Sequence, residues 1–297
     1  IKKSIESLQN TFLNSNLSEV GKNNSILFIE FDPLNYENLL DHLGKYKKKI
    51  IFLNRRKPIT NPKSIKIINR NNIKILLSQN VLDSNDKKII SSLTKKYSKI
   101  LNLFWQKNND YISKIFMIEG VTIWPLIQNV FPEILQARLG EFIELIIFAK
   151  KIHSIAEFDH IVSHNTLGET EKAILNVKNT KNNSLMLQHA FANYPDSLQR
   201  YAVYDTTSFR DNIALWGNIQ KINLLQNNLV HEKNIRVLGS PRHDKFFEYN
   251  ENLLLNNKKK VVLATQNFEL ANAQLSTETF IKLEKLLEKI FSFFSKI

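Results

Sequence analysis

The sequence predicts an α/β fold: a parallel β-sheet with helices on both faces. Three observations lead there. Short apolar runs recur along the chain: SILFIEFD at 25–32, KIIFLN at 49–54, DHIV at 159–162 and SLMLQ at 184–188. These runs are nearly continuous in apolar residues rather than alternating, as strands are when buried on both sides. Segments with helical spacing lie between them, which suits crossovers between parallel strands.

The elements follow in chain order. Ile5, Leu8 and Phe12 recur at helical spacing, so the chain opens with a helix, and a turn spans 21–25. The strand at 25–32 ends in Asp32-Pro33, a turn signal. A helix at 36–43 precedes the second strand at 49–54, and Ile-rich stretches at 65–69 and 73–77 read as two more strands. Ile89, Ile90, Leu93 and Tyr97 share one face of a helix over 85–98. IFMIEG at 115–120 reads as a strand ending at Glu119-Gly120, and two apolar helices follow at 123–135 and 139–156. After the strand at 159–162, Thr166-x-x-Glu169 has the form of a capping box opening a helix at Asn165-Thr166. The strand at 184–188 runs into a long loop carrying His189. Short strands at 200–204 and 212–216, a helix at 219–227 and a strand at 235–238 lead to the turn Gly239-Ser240-Pro241.

Beyond it, Lys258-Lys259-Lys260 leads into VVLAT at 261–265, then a helix striped by Phe280, Leu283, Leu287, Ile290 and Phe294. One strand and one helix cannot bury a core of their own. The expectation is therefore a first domain at 1–250 and, at 255–297, the beginning of a second α/β domain that is cut short. The alternative is a final helix that packs back on the first domain.

Composition excludes several classes. With 297 residues, 43% hydrophobic and 23% charged, the chain is long and apolar enough to fold. Cysteine is absent, which rules out disulfide scaffolds, Cys-ligated metal and thiol catalysis. No apolar run reaches the ~18 residues of a membrane span, and no signal-peptide pattern is present, so the expected address is cytoplasmic. The net charge is +13. Two readings compete for it: a polyanion-binding surface, or drift toward Lys, Asn and Ile codons. The clusters Lys45-Tyr46-Lys47-Lys48-Lys49 and 258–260 are short and each precedes an apolar strand, as solvated charge does. The 7 glycines are scattered, with Gly120 and Gly140 the nearest pair, so neither a dinucleotide fingerprint nor a P-loop is present. Asp-x-Asp and His-Glu-x-x-His are missing, and no tightly held metal is expected.

Ligands of open α/β sheets bind beyond the carboxyl ends of the strands, so polar residues just after strands are the candidates. His189 follows a strand directly, and an imidazole there suits removal of a proton from a hydroxyl near neutral pH. The plainer alternative is a ring satisfied by a local carbonyl. Gln188 precedes it. Glu119 either assists His189 or caps the next helix. His164 and Asn165 end another strand, where Asn165 equally serves to start a helix. In Gly239-Ser240-Pro241-Arg242-His243-Asp244, Ser240 and the turn amides can meet a ligand, Arg242 can pair with phosphate, and Asp244 braces the turn. Trp105, Trp124 and Trp216 lie on apolar stretches and read as core rather than as a stacking platform.

LQHA at 187–190, ALWG at 214–217 and VLGSPRHDKF at 237–246 together resemble the end of the N-terminal domain of GT-B-type glycosyltransferases of surface-polysaccharide biosynthesis. Teichoic-acid polymerases (CDP-glycerol glycerophosphotransferases), Kdo transferases and UDP-N-acetylglucosamine 2-epimerases share this layout, and IEGVTIWPLI at 118–127 is similar to a Gly-x-x-Leu-Trp segment of such enzymes. The resemblance implies two Rossmann-like domains across a cleft. His189 would stand as the acceptor-side base, Gln188 beside it, and Gly239, Ser240, Pro241 and Asp244 at the step toward the second domain. Ala190 stands where the family has Gly, and no His-Pro pair of the donor-binding half occurs in the chain.

The function implied is metal-independent transfer of a sugar, or a polyol phosphate, from a nucleotide-sugar donor to a glycan or lipid-linked acceptor. No cofactor beyond the donor substrate and no specific nucleic acid are expected. The basic surface suits peripheral contact with an anionic membrane. The alternatives are a nucleotide-sugar epimerase of the same fold and a non-enzymatic basic module binding nucleic acid or membrane.

Overall fold

A computed structural model of the chain describes residues 25–46, 48–164, 168–178, 183–188, 211–226 and 230–244, with Lys285, Glu288 and Ser292 in helical conformation. The chain divides into two compact units, Ile1–Glu248 and Tyr249–Ile297. Every element below belongs to the first. The helix expected at the start of the chain and the strands expected at 200–204 and 261–265 lie outside the described residues.

The fold is α/β. A seven-stranded parallel sheet comprises β1 (Ser25–Ile29), β2 (Lys49–Leu53), β3 (Lys74–Ile75), β6 (His160–Ser163), β7 (Asn183–Leu187), β8 (Asn212–Leu215) and β9 (Ile235–Val237). Their order is β3-β2-β1-β6-β7-β8-β9. The chain builds outward from β1 in one direction, then returns to its other side, the Rossmann-like arrangement. β1 is therefore central, with Leu27 beside Ile51 on one flank and Ile161 on the other.

Its residues SILFI are all buried because both faces are covered. Alternation sorts them into two cores. Ile26 and Phe28 join Phe52, Leu40, Ile67 and Ile68, under helices α1 (Glu37–Leu43) and α2 (Pro62–Arg70). Leu27 and Ile29 join Leu145, Phe148, Ile152 and Ile174, under α6 (Phe131–Ile155) and α7 (Glu169–Asn176). A third cluster sets Met186, Ile213, Leu215 and Ile235 against Leu224 of α8 (Asn218–Gln226).

Several sequence expectations are corrected. Residues 65–69 form part of helix α2, not a strand. Asn61 caps it by accepting from the Lys63 amide at 2.9 Å, Pro62 opens it, and Ile67 and Ile68 bury one side. This is the crossover that parallel β2 and β3 require. The helix expected at 85–98 extends as α3 (Ser84–Lys107), fixed at its start by a capping box between Asp83 and Asp86. IFMIEG is not a strand of the main sheet. After the short α4 (Asn109–Ile115), β4 (Met117–Ile118) and β5 (Val121–Thr122) form a separate antiparallel hairpin, turned by Glu119 and Gly120 at φ 50° and 82°. The two helices expected at 123–135 and 139–156 become the short α5 (Trp124–Ile127) and one continuous α6 that passes through Gly140. Helix α7 starts after Gly168, with no side-chain cap, so Thr166 is not its N-cap.

Candidate functional site

The strand order reverses between β1 and β6, and the crevice beyond their carboxyl ends is where such sheets bind ligands. A cleft of about 510 Å³ opens there, lined by Glu30 and Asp32 after β1, Arg56 and Lys57 after β2, His164 after β6, and Arg242 from the turn after β9. Asn35 and Tyr36 complete the wall.

Glu30 is the first residue beyond β1 and holds a φ of 59°, a strained conformation for a side chain that is not glycine. Its carboxylate accepts from the amides of Arg55 (3.0 Å) and Arg56 (2.9 Å), and so folds the chain after β2 over the end of β1. Asp32 accepts from the Leu34 amide at 3.1 Å and starts a short 3-10 turn at 33–36. Both carboxylates are thus engaged by backbone, and the cleft's cations are Arg56, Lys57 and Arg242.

Arg56 spans two acids. Its guanidinium lies 3.6 Å from Glu30 and 2.5 Å from Glu171, a side chain with no solvent exposure. Burial pushes the Glu171 carboxyl up to about 7; Arg56 opposes the rise and Glu30 adds to it. The second Glu171 oxygen has no hydrogen-bond partner among the described residues. A Cβ at Gly168 would fall 2.8 Å from Arg56 Nη2 and 2.6 Å from the Glu171 carboxyl carbon, so glycine is what admits the pair.

His164 sits edge-on to Phe31, ring centroids 5.1 Å apart, at the rim of this cleft. Among the described residues the Lys57 ammonium has no ion-pair partner. Arg242 faces Tyr36, whose hydroxyl burial holds above its ordinary titration range against the pull of that cation. The site therefore presents an imidazole among guanidinium and ammonium groups, a lining suited to an anionic oxygen-rich ligand.

A second cavity, about 290 Å³, lies along the rim by β7 and β8, lined by Gln188, Trp216, Gly239, Pro241 and Asp244 with Leu185 and Leu187. Gln188 ties two strand ends together: its side-chain oxygen accepts from the Trp216 amide at 2.8 Å, and its amide donates to Ala214 at 3.0 Å. Gly239 adopts a φ of 84° with open space where a Cβ would stand, so conformation alone selects it. Ser240 Oγ lies 2.7 Å from His243 Nδ1, and His243 meets the Trp216 ring edge-on at 4.8 Å.

Of the residues anticipated from sequence, Arg242 lines the first cleft, and Gln188, Gly239 and Asp244 line the second. Ser240 is engaged within its own turn. Glu119 is corrected: it is exposed in the hairpin turn, away from the main sheet, and belongs to neither cavity. Trp216 is also corrected, from core to cavity wall, whereas Trp124 is buried and stacks between Phe116 and Trp105. His189 and Asn165 lie outside the described residues. Glu30, Arg56, Lys57, Gly168 and Glu171 were not anticipated. The rule that singled out residues after later strands would have found Arg56 and Lys57, had it been applied after 49–54; Glu30 lay inside the strand expected at 25–32, which ends at Ile29. No local signal marks Glu171.

Among the described residues no group of three or more His, Asp or Glu side chains is arranged to hold a metal ion, and no helix is long and apolar enough to cross a membrane. Comparison of the chain with protein-family models, with curated proteins and with solved structures finds no match.

Proposed function

We propose that the first unit is the acceptor-side domain of a nucleotide-dependent transferase of surface-glycan assembly, and that the cleft between β1 and β6 grips a phosphate-bearing ligand. The observation that carries this reading is the convergence of Arg56 and Lys57, His164 and Arg242, from three separate strand ends, on one cleft at the reversal of strand order. Guanidinium groups match phosphate oxygens in forked hydrogen bonds, and Lys57 adds a point charge.

In the transfer step an acceptor hydroxyl gives its proton to an imidazole. Its oxygen forms the new bond to the anomeric carbon, and the bond from that carbon to the nucleoside diphosphate breaks, the leaving oxygen taking the electron pair. With a polyol-phosphate donor the bond forms to phosphorus and a nucleoside monophosphate leaves. His164 is the imidazole in the cleft. His189 is the second candidate, by its position after β7 in the sequence. Glu119 takes no part.

Calorimetric titration of the chain with UDP, CDP-glycerol and inorganic phosphate, with magnesium and with EDTA, tests the binding. A phosphate-bearing ligand should bind with or without magnesium, and Arg242→Ala or Arg56→Ala should weaken it about tenfold or more. His164→Ala should leave affinity within about twofold while abolishing any transfer. Phosphate ligands that bind equally well to both arginine variants, or not at all, would refute the reading. Release of UDP without a new glycosidic bond would point to the epimerase instead.

A further inference from the structure

Helix α3 carries an apolar stripe on its outer side. Its 24 residues extend about 36 Å. The half-buried side mixes apolar and small residues, Ile90, Leu93 and Leu101 among them; there Thr94 faces Gly140, Ser98 bonds Gln136, and Trp105 meets Phe131 of α6. Ile89, Tyr97, Ile100, Leu103 and Phe104 face outward instead, each 40–52% exposed. At about 100° per residue these five fall within one 120° sector.

The stripe is bordered by charge of one sign. Lys88, Lys95 and Lys99 form a row along its edge, and Lys96 and Lys107 fall within the sector. The acid of the helix, Asp86, is engaged by Lys151 at 3.0 Å. Apolar exposure continues along the chain past α3, through Tyr111, Ile115, Met117, Ile118 and Val121.

We propose that α3 docks on an anionic phospholipid bilayer, lying in the interfacial plane with Ile100, Leu103 and Phe104 among the acyl chains and the lysine row on headgroup phosphates. An apolar stripe bordered by lysines is the pattern of an interfacial helix; it is too charged to span. A second copy fits less well, because two such helices face to face bring lysine rows together with no acidic partner on α3. This inference stands apart from the transferase reading, which concerns the strand ends, and either can fail alone.

The test is co-sedimentation of the full chain with vesicles of phosphatidylcholine alone and with half phosphatidylglycerol. Binding is expected on the anionic vesicles, falling with added salt, and weaker by at least about tenfold on neutral ones. Lys88→Glu/Lys95→Glu/Lys99→Glu should cost about a hundredfold in apparent partitioning. Ile100→Ser/Leu103→Ser should cost about tenfold or more, with circular dichroism and melting unchanged because both side chains are already exposed. Equal binding to neutral vesicles, no binding, or variants that bind as well as the parent would overturn the proposal. So would a self-association in sedimentation velocity that the serine variant abolishes.

Discussion

Single residues decide the chemistry of the cleft. Glu30 accepts a backbone conformation that favours glycine because its carboxylate gains two amide donors from the neighbouring strand end. Glu171 is placed where water does not reach, and Gly168 leaves the room for Arg56 to meet it. A carboxyl raised to about 7 in the folded chain keeps its proton there when the unfolded chain has lost it. Stability therefore falls as pH rises from about 4.5 to about 7, by roughly 3 kcal/mol. Glu171→Gln removes that titration. Urea unfolding across this range should show a flatter profile for the variant, and the two profiles should run parallel above about pH 7. Parallel profiles for the two proteins below that pH would mean that Glu171 does not hold the proton.

At the scale of elements, tertiary demands override local propensity in two places. Ile65, Ile67 and Ile68 favour a strand by type, yet a crossover between parallel β2 and β3 is obligatory, and Asn61-Pro62 starts a helix there. Gly140 suggests a break between two helices, yet α6 runs through it. A Cβ at that position would meet Thr94 of α3 at 3.7 Å, ordinary contact, so the glycine is not needed for close approach. Gly140→Ala should therefore raise stability by about 0.5–1 kcal/mol through reduced freedom of the unfolded chain. A lower melting temperature for the alanine variant would show that the α3–α6 contact is tighter than this geometry.

For the whole molecule, the sheet order sets both robustness and location of function. β1 has strands on both flanks and a separate apolar core on each face, so its opening requires loss of both. Native-state hydrogen exchange should find the amides of β1, β2 and β6 exchanging only by global unfolding. Those of β3 and of the β4–β5 hairpin should exchange by local opening. Protection in the hairpin equal to that in β1 would contradict this. The same order brings strand ends far apart in the sequence to one rim. Arg242 thereby lines the cleft beside Glu30, although most of the unit's chain separates them.

The fold class and most parallel strands were legible in the sequence, because a strand buried on both faces must be a short apolar run and such runs are locally encoded. Gln188, Arg242 and the Gly239 turn were legible as strand-end residues for the same reason. Glu119 misled because a two-strand hairpin and the end of a core strand share one local signature, an apolar run followed by a glycine. Only the tertiary structure decided the order of the strands, and with it the meeting of Glu30, Arg56, His164 and Arg242, the burial of Glu171, and which side of α3 faces outward. Those outcomes depend on contacts between segments that packing alone joins, and no local pattern specifies them.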